Sequence, residues 1–131
     1  MQKLTVTEMN RLSAEDYRRA EKLPLVVVLD NVRSQHNIGS AFRTCDAFRV
    51  AKICLCGICA VPPSADIHKS ALGAEFSVDW EYFQETTDAV AKLRSEGYTI
   101  VSVEQAENST MLGDFHLEEG RHYAFVFGSE G

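Results

Sequence analysis

Five short segments with strand patterns, separated by segments with helical spacing, limit the possible folds of this chain more than any other feature of its sequence. The first run, residues 25–29, is continuous and rich in valine, which is typical of a strand buried on both faces of a parallel sheet. The other four runs cover residues 52–58, 77–83, 98–103 and 122–127. Because strands that alternate with helices form parallel sheets covered on both faces, the sequence predicts an α/β fold with a mainly parallel sheet flanked by helices.

Helical segments are predicted between these strands. They cover residues 37–48, residues 66–75 as a short helix or an ordered loop, and residues 87–95. Asn37 is predicted to be the N-cap of the first helix, because an asparagine side chain can accept a hydrogen bond from the first turn. Gly97 lies just after the last helix, at the position where glycine commonly ends a helix.

The length of 131 residues suits a single domain, with an N-terminal helical extension over residues 1–24 and an α/β core over residues 25–131. The extension has a helical pattern that Pro24 ends, and it lacks the apolar centre of a signal peptide. No apolar run approaches the ~20 residues that a membrane span needs. We therefore expect a cytoplasmic protein that does not cross a membrane.

The net charge of −6 argues against a strongly basic nucleic-acid-binding domain, although one local basic face is enough to bind RNA. Two groups of cations are candidates for such a face. The first group comprises Arg11, Arg18, Arg19 and Lys22, for which a solvated helix face is the favoured interpretation. The second group comprises Arg33, His36 and Arg43.

Three cysteines have a spacing, Cys54-x-Cys56-x-x-Cys59, that is compatible with a metal site. They lie, however, in a run that predicts a buried strand, where free cysteine behaves as a small apolar residue. The sequence has no second cysteine or histidine pair at zinc spacing, so we expect no metal. It also lacks a Walker phosphate loop, a Gly-x-Gly-x-x-Gly motif after the first strand and a Gly-x-Ser-x-Gly nucleophile elbow.

Polar or glycine-rich loops follow three of the predicted strands. They cover residues 30–39, 104–109 and 128–131. Ligands of parallel α/β folds bind at the carboxyl ends of the strands, so we expect the functional site at these loops. Considered alone, Arg43 after the first loop is equally compatible with a surface salt bridge, and Glu130 in the last loop with an ordinary turn.

Two motifs stand at the ends of this α/β core. Asn37, Gly39 and Arg43 form the first, and residues 127–131, Phe-Gly-Ser-Glu-Gly, form the second. In this order and at this separation they resemble the motifs of the SpoU (TrmH-type) family of SPOUT methyltransferases. Residues 69–75, Lys-Ser-Ala-Leu-Gly-Ala-Glu, resemble the segment that the family has between them. The likeness extends from about Leu25 to the end of the chain.

The resemblance implies a homodimeric enzyme that transfers a methyl group from S-adenosylmethionine to a ribose 2′-hydroxyl in tRNA or rRNA. It also implies a SPOUT-type sheet whose C-terminal part forms a trefoil knot, which is rare among folds. A third family motif, which completes the knot, is absent from these 131 residues. We therefore expect a C-terminally incomplete member that by itself neither binds S-adenosylmethionine well nor methylates RNA.

The resemblance also assigns roles to residues. Arg43 would assist the loss of the hydroxyl proton or, because a guanidinium is a poor base, stabilise the developing alkoxide. Asn37 would position Arg43 or the ribose, and Glu130 would orient Arg43 or another group beside the substrate. The residues assigned to the cofactor are Val103, Glu104, Gly128 and Ser129. The residues assigned to RNA are Arg18, Arg19, Arg33 and His36, and this assignment comes from the two local basic faces and not from the resemblance. Two alternatives remain open: an RNA-binding module without catalysis, and a flavodoxin-like domain that binds another ligand.

Overall fold

The computed structural model describes residues 22–103 and 120–128, together with the backbone of residues 2–3 and 116–117. The strands are β1 (Gln2–Lys3), β2 (Leu23–Asp30), β3 (Val50–Cys56), β4 (Asp79–Phe83), β5 (Tyr98–Val103), β6 (His116–Leu117) and β7 (His122–Phe127). The helices are α1 (Gln35–Ala47), α2 (Ala65–Ala71) and α3 (Thr86–Ser95), and a 3-10 turn covers Ala74–Phe76. The five predicted strands are confirmed, with boundaries that differ from the predicted ones by two residues or fewer.

Strands β4, β3, β2, β7 and β5 form, in that spatial order, a sheet in which the described neighbours are parallel. Strand β2 lies at the centre, and its Val27 is opposite Ile53 of β3 and Phe125 of β7. Because both faces of β2 are covered, residues 25 to 29 are all buried, which explains their continuous apolar run. The predicted α/β fold with a mainly parallel sheet is confirmed.

Helices cover both faces of this sheet. On one face, α1, α2 and the 3-10 turn pack over the strands in the larger core cluster, in which Phe42 and Ile67 are fully buried. On the other face, α3 packs Ala89 and Leu93 against strand residues such as Val28. None of the described helices is long and apolar enough to cross a lipid bilayer.

The N-terminal segment does not begin as predicted. Gln2 and Lys3 form β1, which pairs antiparallel with β6, so Gln2 lies opposite Leu117 and Lys3 opposite His116. The prediction of a helical extension over residues 1–24 is therefore wrong at these two positions. The helical pattern is a local signal, and pairing with a segment distant in the sequence overrides it. Residues 4–21 lie outside the described residues.

Candidate functional site at the carboxyl edge of the sheet

The carboxyl ends of β2, β7 and β5 lie side by side at one edge of the sheet. Phe127 of β7 is opposite Leu29 of β2 on one side and Val103 of β5 on the other. The chain therefore leaves the sheet at adjacent points after Asp30, after Val103 and at Gly128. The three polar or glycine-rich loops at which we expect the functional site therefore start from neighbouring strand ends.

Two of the four residues assigned to a cofactor are described, and both lie at this edge. Val103 is buried, with its side chain in the core cluster beneath α1. Gly128 is exposed, and an added Cβ there would meet no heavy atom within 4 Å. The edge thus places a buried apolar strand end next to accessible backbone groups at Gly128. Glu104 and Ser129 lie outside the described residues, as does Glu130.

Helix α1 begins near the same edge, and Ser34 is its N-cap. The Oγ of Ser34 accepts a hydrogen bond from the backbone N–H of Asn37 at 3.1 Å. The prediction of Asn37 as the N-cap is therefore wrong. Serine caps helices as well as asparagine does, and Ser34 has the extended conformation of a cap, with φ −73° and ψ 113°. Asn37 instead lies half-buried in the first turn of the helix.

The exposed basic residues Arg33, His36 and Arg43 lie on or just before α1. His36 and Arg43 share one side of the helix because whole turns separate them. Arg43 forms no ion pair with another described residue. Since the N-terminal end of a helix also has a partial positive charge, this end of α1 favours phosphate or carboxylate groups. Arg18 and Arg19, the other residues assigned to RNA, lie outside the described residues.

Hydrogen bonds from Asn31 join the loop after β2 to the loop after β3. Its N–H donates to the Cys56 carbonyl at 3.2 Å, and its Oδ1 accepts from the Ile58 N–H at 3.0 Å. Gly57 is required here because an added Cβ would lie 1.9 Å from the Asn31 Oδ1. Asn31 is not among the residues predicted from the sequence. The signal for it is an asparagine directly after a buried strand, since asparagine tolerates the left-handed conformation that it adopts, with φ 55°.

Helix α2 crosses α1 at Gly39. An added Cβ at Gly39 would lie 2.0 Å from the Ser70 Oγ and 2.4 Å from the Ile67 carbonyl oxygen. Close to this crossing, the Ser70 hydroxyl donates a hydrogen bond to the His36 carbonyl at 2.8 Å. The role of Gly39 in the first motif is therefore to let α2 fix the position of the helix on which Arg43 lies.

Glu75, directly after this crossing segment, is a buried carboxylate with 6% of its surface exposed. It accepts hydrogen bonds from the Gly73 N–H at 2.9 Å and lies 2.7 Å from the His68 Nδ1. Burial alone would raise the pKa of Glu75. The hydrogen bonds from its own backbone amide, from His68 and from Gly73 outweigh burial and lower this pKa below its usual value of 4.5.

The lowered pKa of Glu75 predicts a pH-dependent contribution to stability. A carboxyl group whose pKa is lower in the folded chain stabilises the fold above its usual pKa, and this contribution is lost as the pH falls through the lowered value. At pH 7 the wild type is expected to exceed Glu75→Gln in free energy of unfolding by about 1–3 kcal/mol. The difference should shrink as the pH falls below about 4.5.

Chemical denaturation at a series of pH values measures this difference. Glu85→Gln is the matched control, because Glu85 is exposed and its side chain makes no capping hydrogen bond to α3. The control should differ from the wild type by less than about 0.5 kcal/mol at every pH. A stability difference for Glu75→Gln that stays constant down to acidic pH would contradict the prediction.

The cysteines of the Cys54-x-Cys56-x-x-Cys59 spacing are all buried. Cys54 and Cys56 pack on the α3 face of the sheet, whereas Cys59 packs in the cluster on the α1 face. Burial raises the pKa of Cys54 to about 11 and that of Cys56 to about 12, so the thiols stay protonated near neutral pH. Metals bind the thiolate form, and no group of three potential metal ligands is found among the described residues.

Known proteins are similar to this chain in both sequence and fold. The model of the SpoU rRNA Methylase family matches residues 24–131. A Staphylococcus saprophyticus protein named as a TrmH family tRNA/rRNA methyltransferase is 32% identical over 111 residues, which cover 85% of this chain and 43% of the relative. The 23S rRNA (guanosine-2′-O-)-methyltransferase RlmB of Nitrosomonas europaea is 32% identical over 127 residues, which cover 95% of this chain and 48% of RlmB.

Among solved structures, the SpoU methyltransferase AviRb from Streptomyces viridochromogenes, in complex with the cofactor AdoMet, matches with a TM-score of 0.60 and 26% identity. The match covers 91% of this chain and 46% of AviRb. The chain thus spans less than half the length of each of these relatives.

Proposed function

The chain belongs to the SpoU rRNA methylase family, and from this membership we propose that the protein transfers a methyl group from S-adenosylmethionine to a ribose 2′-hydroxyl of tRNA or rRNA. When bound, S-adenosylmethionine would supply an electrophilic methyl group to the 2′-oxygen, with the S–CH3 and O–H bonds broken and the proton released to water. The observation that supports the proposal most strongly is the exposed Arg43 on α1, in the first family motif and on the helix that begins near the carboxyl edge.

Arg43 is the residue to which we assign the main chemical role. A guanidinium stays protonated in proteins, so Arg43 serves as a fixed positive charge and not as a base. It binds a phosphate of the RNA and stabilises the negative charge that develops on the 2′-oxygen. Asn37, in the first turn of the same helix, positions Arg43 or the ribose through its amide. Glu130 is assigned the orientation of Arg43 or of another group beside the substrate.

The edge formed by β5 and β7 is the proposed place for the cofactor. The open space around Gly128, beside the strand end at Val103, leaves room next to the backbone for a ligand that has a flat ring system and polar ends. Glu104 and Ser129, which follow these two residues in the sequence, complete the proposed set. Backbone groups at Gly128 would bind the cofactor while Val103 lines its apolar part.

The RNA would approach from the side of α1. Arg33 and His36 are exposed near the N-terminal end of this helix, where a phosphate group also meets the positive end of the helix dipole. We propose that Arg18 and Arg19 add further phosphate contacts. The family resemblance extends the proposal to a homodimer that acts in the cytoplasm.

Calorimetric titration of S-adenosylmethionine into the full-length protein tests the cofactor class. We expect binding with a dissociation constant on the order of micromolar, and no heat of binding with ATP at the same concentration. Gly128→Val is expected to weaken binding about tenfold or more because its side chain occupies the cofactor's space. The fold should tolerate the first carbon of that side chain, since an added Cβ meets nothing within 4 Å. If Gly128→Val bound S-adenosylmethionine as tightly as the wild type, this edge would be excluded as the cofactor site.

A further inference from the structure

Two large apolar side chains next to α2 are more exposed than the others of the described residues. Phe76 is 79% exposed and Leu72 is 62% exposed. The exposed His68 ring lies 6.3 Å from the Phe76 ring, measured between the ring centroids. We call His68, Leu72 and Phe76 the exposed platform. Clusters of exposed apolar side chains often mark the places where a protein binds a partner.

The platform has a fixed backbone. Ala74 and Glu75, directly before Phe76, are both buried, and Glu75 contacts the His68 ring. The Phe76 N–H donates a hydrogen bond to the Gly73 carbonyl at 3.0 Å, which closes the 3-10 turn. The Phe76 ring therefore cannot turn into the core unless these contacts break. Its exposure is a property of the fold, so the ring would not have to be reoriented when a ligand binds.

The platform is attached to the helix on which Arg43 lies. Both α2 and the 3-10 turn pack against α1. The hydrogen bond from Ser70 to the His36 carbonyl adds a direct link between α2 and the first turn of α1. An RNA strand bound at Arg43 can therefore continue over the same layer of helices to the platform.

Lys69 lies on the same helix as His68 and favours a nucleotide as the ligand, because its charge complements a phosphate group. Lys69 is exposed, and its ion pair with Asp66, at 3.4 Å, is a weak surface pair. Exposed aromatic rings and lysines are the side chains with which proteins stack the bases of single-stranded RNA and contact its phosphates. A stable protein interface buries about 800 Å² on each partner, which two apolar side chains cannot supply. One exposed ring, by contrast, matches the face of one base.

We propose that Phe76 stacks on an unpaired base of the RNA substrate, outside the nucleotide that is methylated, with Leu72 and His68 at the borders of this base. The inference rests on the proposed function, because it assigns a second contact to the same substrate. Any of the four bases fits, since each has a flat face that stacks on an aromatic ring.

Fluorescence anisotropy of a labelled single-stranded oligoadenylate, titrated with the full-length protein, tests the platform. Phe76→Ala is expected to weaken the affinity at least about fivefold, whereas Phe76→Trp retains it because indole also stacks. Val90→Ala, which shortens a half-buried apolar side chain on α3, on the opposite face of the sheet, is the control and leaves the affinity unchanged. Phe76→Ala also keeps the salt dependence of the wild type, whereas Lys69→Ala lowers its slope by about one.

Unchanged affinity in Phe76→Ala would contradict the proposal that Phe76 stacks on a base. A wild-type protein that fails to bind the oligoadenylate would also contradict it. If Phe76→Ala alters only the sedimentation of the protein and not its RNA affinity, the surface is a contact between copies and the proposal is wrong. Methyl transfer by the wild type and by Arg43→Ala is measured on the same preparations. This assay tests the proposed function separately from the contact of Phe76 with RNA.

Discussion

Replacing Arg43 by alanine is expected to lower the rate of methyl transfer by about a hundred- to a thousandfold, which is the usual effect of removing one donor to a developing oxyanion. Stability should change little. Arg43 is exposed and forms no ion pair with another described residue, so the free energy of unfolding should shift by no more than about 0.5 kcal/mol. Transfer of tritiated methyl groups into RNA measures the rate, and thermal denaturation measures the stability.

Two further variants separate the position of Arg43 from its charge. Arg94→Ala removes an exposed arginine from α3, on the opposite face of the sheet, and should retain the full rate. Arg43→Lys keeps the positive charge but loses the planar set of N–H donors, so it should recover only part of the lost rate. If Arg43→Ala transferred methyl groups at the wild-type rate, Arg43 would have no role in the reaction.

Gly39→Ala is expected to destabilise the folded chain by about 1–3 kcal/mol, although alanine is the better helix former. In an isolated helix the same change would be stabilising by roughly 1 kcal/mol. In this chain the added Cβ would lie 2.4 Å from the Ile67 carbonyl oxygen, which belongs to the backbone of α2 and cannot rotate away. The steric effect should therefore exceed the gain in helix propensity, because α2 must move away from α1.

Urea denaturation of a matched series measures this effect. Ser70→Ala in the Gly39→Ala background removes the nearest atom, the Ser70 Oγ, but leaves the Ile67 carbonyl, so it should restore only part of the stability. Ser40→Ala, at the next position of the same helix, is the control and should change the free energy of unfolding by less than about 0.5 kcal/mol. A Gly39→Ala protein more stable than the wild type would show that the helices do not cross this closely.

The parallel sheet could be predicted because its signal is local. Residues 25–29 are apolar on both faces because the strand they form is the central one, and helices cover it on either side. Glycine also indicated where a helix ends. Gly97, just after α3, has φ 93°, a conformation that glycine adopts without strain.

The contacts that shape the site could not be predicted, because they join residues that are distant in the sequence. The bond from Ser70 to His36 and the fit of Gly57 against Asn31 depend on the packed structure. The start of α1 was ambiguous for a different reason: serine and asparagine are both good N-caps, and local sequence does not decide between them. Arg43 itself has the local pattern of a surface salt bridge, so its assignment depends on the family resemblance.

The position of the transferred methyl group tests the proposed function most directly. RNA is incubated with the full-length protein and tritiated S-adenosylmethionine, and is then hydrolysed in alkali, which cleaves after each nucleotide that has a free 2′-hydroxyl. A 2′-O-methyl group blocks this cleavage, so the label is predicted to appear in an alkali-stable dinucleotide. Label in mononucleotides would place the methyl group on a base, and that result, or no transfer to either tRNA or rRNA, would contradict the proposed function.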